Sequence, residues 1–314
     1  CCAIDWSGIS PAIFGSLFQN IMDETPNARR NLGAHYTTEG NILKLIGPLF
    51  LDELHAEFDK IRHTVKSRAQ NLQAFHTKLA GLKFLDPACG CGNFLVIAYR
   101  ELRRLELEVL RALHHSGQQA LDIATIVQVD VDQFHGIEIE EFPVQIAQVA
   151  LWLTDHQMNA LVSEEFGQYF IRLPLKKSAH IVHGNALRLD WNSVIAAEEC
   201  DIVMGNPPFI GAKFLNDAQR TDVATIFHDT KNAGLLDYVT CWYRKATDFI
   251  ATHPAIRVAF VSTNSITQGE QVGVLWPDLL RHGVHLHFAH RTFQWSSEAS
   301  GKAAVHCVII GFGL

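Results

Sequence analysis

The stretch Leu85-Asp86-Pro87-Ala88-Cys89-Gly90-Cys91-Gly92-Asn93-Phe94 follows a short apolar run at 83–85 and leads into a helical segment. Strand, glycine-rich turn and helix in this order open a βαβ unit, because Gly90 and Gly92 let the backbone turn tightly and approach a ligand closely. An ordinary packing turn is the alternative reading. No Gly-Lys-Ser or Gly-Lys-Thr ending marks a phosphate cradle, and Leu95 stands where a dinucleotide fingerprint needs its third glycine. The ligand at this turn therefore need not carry phosphate.

Outward from this turn, short apolar runs alternate with helical patterns, the signature of a parallel sheet with crossovers. Strands are expected over 83–85, 134–139, 180–183, 201–204 and 257–262. Two further runs, 284–290 and 304–310, have no room for a helix between them and read as an antiparallel hairpin closing the sheet. Upstream, residues 1–80 read as mostly helical, with helical spacing over 11–22 and again over 42–77, and Thr38 as a cap before the apolar stretch 41–50. The expected organisation is an N-terminal helical region, 1–80, followed by an α/β domain, 81–314.

The apolar content of 48% in 314 residues is ample for a core. No apolar run approaches the ~20 residues needed to cross a bilayer, and no signal-type segment opens the chain, so no membrane association and a cytoplasmic location are expected. The seven cysteines are scattered and odd in number, which fits free thiols rather than a disulfide framework. Cys89 and Cys91 have no second pair or histidine at zinc spacing, so no metal is expected. A formal charge of −7 is unlike a DNA-gripping surface. The chain starts at Cys1 without Met and stops soon after a strand, so it reads as part of a longer protein whose basic portion lies elsewhere.

Three more strand ends carry chemistry. Glu138, in Gly136-Ile137-Glu138-Ile139, is an acid at a strand tip, placed to accept from both hydroxyls of a ribose; an exposed acid at a helix entry is the alternative. Asn185, in His183-Gly184-Asn185-Ala186-Leu187, either reads an adenine edge or is a turn asparagine. Asp201-Ile202-Val203-Met204-Gly205 runs directly into Asn206-Pro207-Pro208-Phe209. Two prolines remove two backbone donors and stiffen the turn, so the Asn206 amide oxygen and the Pro207 carbonyl form a rigid pair of acceptors beside the Phe209 ring. Such a pair suits a flat exocyclic amine on a nucleobase; a Pro-Pro turn leaving a strand is the plain alternative.

Taken in order, residues 86–94, 136–139, 184–187 and 206–209 resemble the motifs of amino-methylating DNA methyltransferases. The match is to the methyltransferase domain of MmeI-like single-chain (type IIL) restriction-modification enzymes, and the chain is similar also to type I modification subunits. The resemblance extends to Gly33-Ala34-His35-Tyr36-Thr37-Thr38, to Gly234-Leu235-Leu236-Asp237-Tyr238-Val239 and to 288–295. It implies a Rossmann-like class I S-adenosylmethionine-dependent methyltransferase, a seven-stranded sheet with its last strand antiparallel. It also implies that Tyr36, Thr37, Asp86, Pro87, Ala88, Gly90, Gly92, Asn93, Phe94, Glu138, Ile139, Asn185 and Ala186 surround S-adenosyl-L-methionine, with Glu138 on the ribose and Asn185 on the adenine. Asn206, Pro207, Pro208 and Phe209 would be catalytic, Phe209 stacking on a flipped adenine. Cys91 departs from the more usual Ser or Thr, and a thiol is the weaker donor. The family's nuclease and target-recognition regions have no counterpart in these residues.

The resemblance implies methylation of adenine N6 in double-stranded DNA, the base leaving the stack to be reached. Cytosine N4, an RNA base or a protein glutamine are the competing planar amines, and a catalytically silent cofactor- or DNA-binding module is the competing class. Attack at cytosine C5 is disfavoured because neither Cys89 nor Cys241 follows a proline. Histidines 285, 287 and 290 alternate along a strand and read as surface positions. Lys60, Arg62, Lys66 and Arg68 read as a solvated helix face, and Phe293 or Trp295 is either a second wall for the base or core.

Overall fold

The computed structural model describes residues 37–113, 123–168, 170, 178–294 and 306–314. Tyr36, the helix expected over 11–22 and Trp295 lie outside them.

Seven strands form one sheet: β1 (Phe84–Asp86), β2 (Phe134–Glu138), β3 (His180–His183), β4 (Ile202–Gly205), β5 (Arg257–Thr263), β6 (His285–Gln294) and β7 (His306–Gly313), in the order β3-β2-β1-β4-β5-β7-β6. The first five run parallel, with Phe84 opposite both Phe134 and Ile202 and Gly205 opposite Phe260. β7 lies antiparallel between β5 and β6, pairing Ile310 with Phe260 and with Ala289. The order reverses between β1 and β4, and in open α/β sheets ligands bind beyond the strand ends at that reversal.

Both faces of the sheet are covered, which the strand sequences dictate. Side chains alternate faces along a strand, so continuous apolar runs such as Ile202-Val203-Met204 must be buried on both sides. Phe84, Ile202, Met204, Ala259, Val261 and Ile309 join the core on one face. Leu85, Val203, Val258, Phe260, Val308 and Ile310 join the core on the other.

The first face is covered by helices α1 (Glu39–Ile46), α2 (Asp52–Arg62), α3 (Arg68–Gly81), α4 (Asn93–Leu113) and α5 (Glu141–Phe166). The second carries α6 (Asp217–Ile226), α7 (Thr240–Ile250) and α8 (Val272–Arg281). Ile42, Leu45, Ile46 and Phe50 share a core with Phe84 and Phe134, so the described N-terminal helices and the sheet bury one another. Phe84 stacks on Phe134 at 4.8 Å and meets Phe50 edge-on at 5.2 Å.

The N-terminal helices depart from the continuous run expected over 42–77. The chain forms a π-helical turn, Gly47–Leu51, carrying Pro48, whose missing N–H an unbroken α-helix cannot use. It breaks again before α3, where Ser67 adopts φ +56°. Lys60 and Arg62 therefore close α2 and Lys66 falls in the turn, all three exposed. Thr38 stands at the N-cap of α1 without a side-chain capping bond; its carbonyl accepts from the Asn41 and Ile42 N–H groups. Strand β1 begins and ends one residue later than expected, and β6 runs on to Gln294.

Candidate functional site

Loop 86–94 leaves β1 at the reversal of strand order. Gly90 and Gly92 have φ +54° and +84°, the left-handed region that glycine enters without a Cβ penalty. A Cβ on Gly92 would also lie 3.0 Å from that of Ala147, so the loop packs backbone-tight onto α5. Around Gly90 nothing lies within 4 Å of the corresponding point, so its backbone faces open space. Pro87 and Phe94 are buried, Phe94 within the core, and the Pro87 carbonyl accepts from Trp242 Nε1 of α7 at 3.0 Å. Ala88, Cys91 and Asn93 are half-buried along the loop. Burial pushes the Cys91 thiol up to about 11, so it stays neutral.

Two carboxylates meet this loop. Glu138, at the tip of β2, accepts from the Gly90 N–H at 2.9 Å through one oxygen and from the Glu140 N–H at 3.0 Å through the other. Burial raises its pKa against the pull of those two donors. Its neighbour Ile139 is 52% exposed, an apolar surface beside the acid. Asp86 is wholly buried; one oxygen accepts from the Ala88 N–H at 3.0 Å. The other has no hydrogen-bond partner among the described residues. Burial, reinforced by the nearby Glu138 charge, pushes Asp86 up to about 8. An orphaned carboxylate oxygen beneath an open glycine turn fits a cationic ligand group.

Asn185 is engaged in its own turn: its amide oxygen accepts from the Leu187 N–H at 2.9 Å, and its nitrogen lies 3.4 Å from Asp222. Ala186 is buried, its carbonyl accepting from Trp191 Nε1 at 2.9 Å. Asp222, reaching in from α6, also accepts from the Tyr238 hydroxyl at 2.8 Å and from Arg188 Nε at 2.8 Å.

The quartet Asn206-Pro207-Pro208-Phe209 leaves β4 beside Asp86. A Cβ at Gly205 would fall 2.4 Å from Asp86 Oδ1, so only glycine lets the quartet and loop 86–94 adjoin. Asn206 Nδ2 donates to Thr37 Oγ1 at 3.0 Å, bringing residues 169 positions apart together. Pro207 is buried, Pro208 and Phe209 are half-buried, and Phe209 packs against both cores. Phe293 is half-buried at the edge of the first core, with Lys44 Nζ 4.9 Å from its ring centre.

Asp237 received no role from the sequence, although it lies in a stretch that carried the resemblance. It accepts from the Ala212 N–H at 2.9 Å and from the Ser265 hydroxyl at 2.6 Å, tying the segment after the quartet to the segment after β5. The paired backbone bond from the Tyr238 N–H to the Ile210 carbonyl, 2.9 Å, completes that tie. Arg100 and Glu39 were missed entirely: a two-pronged pair at 2.5 and 3.1 Å pins the start of α1 to α4. Only a register between two distant helices could have revealed it. Among the described residues no three His, Cys, Asp or Glu side chains cluster to hold a metal ion, and no helix is long and apolar enough to cross a membrane.

Residues 62–313 match the family described as MmeI, DNA-methyltransferase domain. "DNA methyltransferase A" of Bacillus subtilis (strain 168) is 40% identical over 314 residues, 99% of this chain and 34% of that protein. The solved structure of the type IIL restriction-modification enzyme MmeI in complex with DNA is 63% identical, with a TM-score of 0.94, and the match covers 100% of this chain and 41% of that one. The DrdV–DNA complex, at 17% identity and a TM-score of 0.56 over 96% of this chain and 29% of that one, shares the fold. The chain thus spans 34% of the length of the Bacillus subtilis protein and 41% of that of the MmeI chain.

Proposed function

The chain belongs to the MmeI DNA-methyltransferase domain family, and on that premise we propose that it transfers a methyl group from S-adenosylmethionine to the N6 of an adenine flipped out of double-stranded DNA. The observation that carries this reading is the seam at Gly205, where the acceptor quartet 206–209 abuts the glycine turn with no room for a methyl group between them.

S-adenosylmethionine, when bound, supplies an electrophilic methyl on a positive sulfonium. Glu138 would accept from the ribose hydroxyls, Ile139 would lie against the adenine, and the orphaned Asp86 oxygen would face a positive group, each from the atoms described above. Asn185 would support the adenine end mainly through its turn, since both ends of its amide are already engaged. On the acceptor side, the Asn206 amide oxygen and the Pro207 carbonyl take the two N6 hydrogens and favour a pyramidal nitrogen, freeing its lone pair. Phe209 stacks on the extruded ring, which replaces the stacking lost from the duplex. Positioning and these acceptors provide the acceleration, with no covalent enzyme intermediate.

Sequence selection belongs, in this reading, to parts of the protein outside these residues, in keeping with the net charge of −7 and the greater length of the relatives. The N-terminal region 1–80 would serve the catalytic domain 81–314, and the activity would lie in the cytoplasm with its DNA. The test is Asn206→Ala in the intact protein: methyl transfer should fall by about a thousandfold while S-adenosylmethionine binding persists. Undiminished transfer would sink the assignment. Digestion of the labelled product identifies the methylated base, and N4-methylcytosine in place of N6-methyladenine would overturn the choice of substrate.

A further inference from the structure

We infer that the Thr37 hydroxyl is a positioning group for Asn206, anchoring the amide whose oxygen faces the target amine. This deepens the methyl-transfer reading and rests on it.

An asparagine amide is nearly symmetric in shape, so only hydrogen bonds distinguish its oxygen from its nitrogen. The proposed chemistry needs the oxygen toward the amine; the reverse orientation sets NH2 against NH2, donor against donor. Asn206 Nδ2 donates to Thr37 Oγ1 at 3.0 Å. With one Nδ2 hydrogen placed on Thr37, the amide is anchored with Oδ1 on its other side, the side that the proposed chemistry needs toward the amine. Without the hydroxyl that bond is lost, and position 37 no longer holds the amide in place. Donation from Nδ2 also draws electron density through the amide onto Oδ1, which strengthens it as an acceptor.

Thr37 is itself held. It is 3% exposed and lies two residues before the start of α1, whose Ile42, Leu45 and Ile46 are fully buried. Glu39, in the first turn of that helix, is pinned by both guanidinium nitrogens of Arg100 at 2.5 and 3.1 Å. Arg100 belongs to α4, the helix that continues loop 86–94. The acceptor for the Asn206 amide is thus fixed to the element that carries the glycine turn, which keeps the amide in register with that turn.

This role differs from the direct cofactor contact that the family resemblance implies for Thr37, and the two separate experimentally. In the intact protein, Thr37→Val keeps the shape and removes the hydroxyl; kcat should fall about tenfold, as for other orienting partners of active groups. Calorimetric affinity for S-adenosylmethionine and the KM for DNA should stay within about twofold, and Thr37→Ser should restore kcat. Should Thr37→Val not fold, Thr37→Ala carries the same comparison against Thr37→Ser. Wild-type kcat in the valine or alanine variant overturns the inference, as does a loss of cofactor affinity matching the loss of turnover, or a failure of serine to rescue. A wild-type protein that methylates no DNA overturns the methyl-transfer reading instead.

Discussion

The two halves of the candidate site are built by different means. On the side of β1, β2 and β3, which we assign to the cofactor, each of the three candidate ligand residues accepts from backbone: Glu138 from the Gly90 and Glu140 N–H groups, Asp86 from that of Ala88, Asn185 from that of Leu187. On the side of β4, side chains also meet side chains across long stretches of chain: Asn206 and Thr37, and Asp237 and Ser265. Backbone donors exist whatever the residue, so the first half depends on a few acids and on glycine. The second depends on particular partners being present together. Substitutions should therefore separate affinity from turnover according to the half they strike.

On the cofactor side, the separation is expected at Glu138. Glu138→Ala strips an acceptor from two backbone N–H groups and from the proposed ribose site, and should weaken S-adenosylmethionine binding about a hundredfold, about 2.7 kcal/mol by calorimetry. Turnover at saturating cofactor should change little; a fall in turnover with intact affinity would break the division. Gly205→Ala strikes the seam, where its Cβ meets the buried Asp86 carboxylate at 2.4 Å. It should cost about 1–3 kcal/mol in denaturant unfolding and impair affinity and turnover together.

A further test concerns pH and belongs to the first half alone. Asp86 is raised by burial from an ordinary value of 3.8 to about 8. Between those values the folded chain retains a proton that the unfolded chain has released, so stability from this group is full at the acid end and declines as pH rises toward 8. Asp86→Asn should remove that slope from the melting temperature of the ligand-free protein across about pH 5 to 8. An unchanged slope would show that the carboxyl is solvated rather than orphaned.

Legibility in the sequence follows the same division. The strands announced themselves because burial on both faces demands unbroken apolar runs, and the glycine turn because positive φ restricts the residue. The hairpin of β6 and β7 followed from the shortness of the link between them. Nothing periodic marks a bond such as Asn206 to Thr37, since a single polar contact between distant residues leaves both looking like turn residues. Ser67 at φ +56° carries no mark in the sequence either, whereas Pro48 does mark the π-helical turn. Asn185 illustrates a limit of another kind: adenine contact and turn formation call for the same side chain, and only coordinates show the amide already occupied by Leu187 and Asp222.

The helices ahead of the sheet bear on where this protein can be divided. The family match begins at residue 62, yet Ile42, Leu45, Ile46 and Phe50 fill the same interior as Phe84 and Phe134. A polypeptide cut at that boundary would bare an oily flank of the sheet layer and leave Asn206 without its threonine. The residue at which the family match begins is thus not a place at which the molecule comes apart.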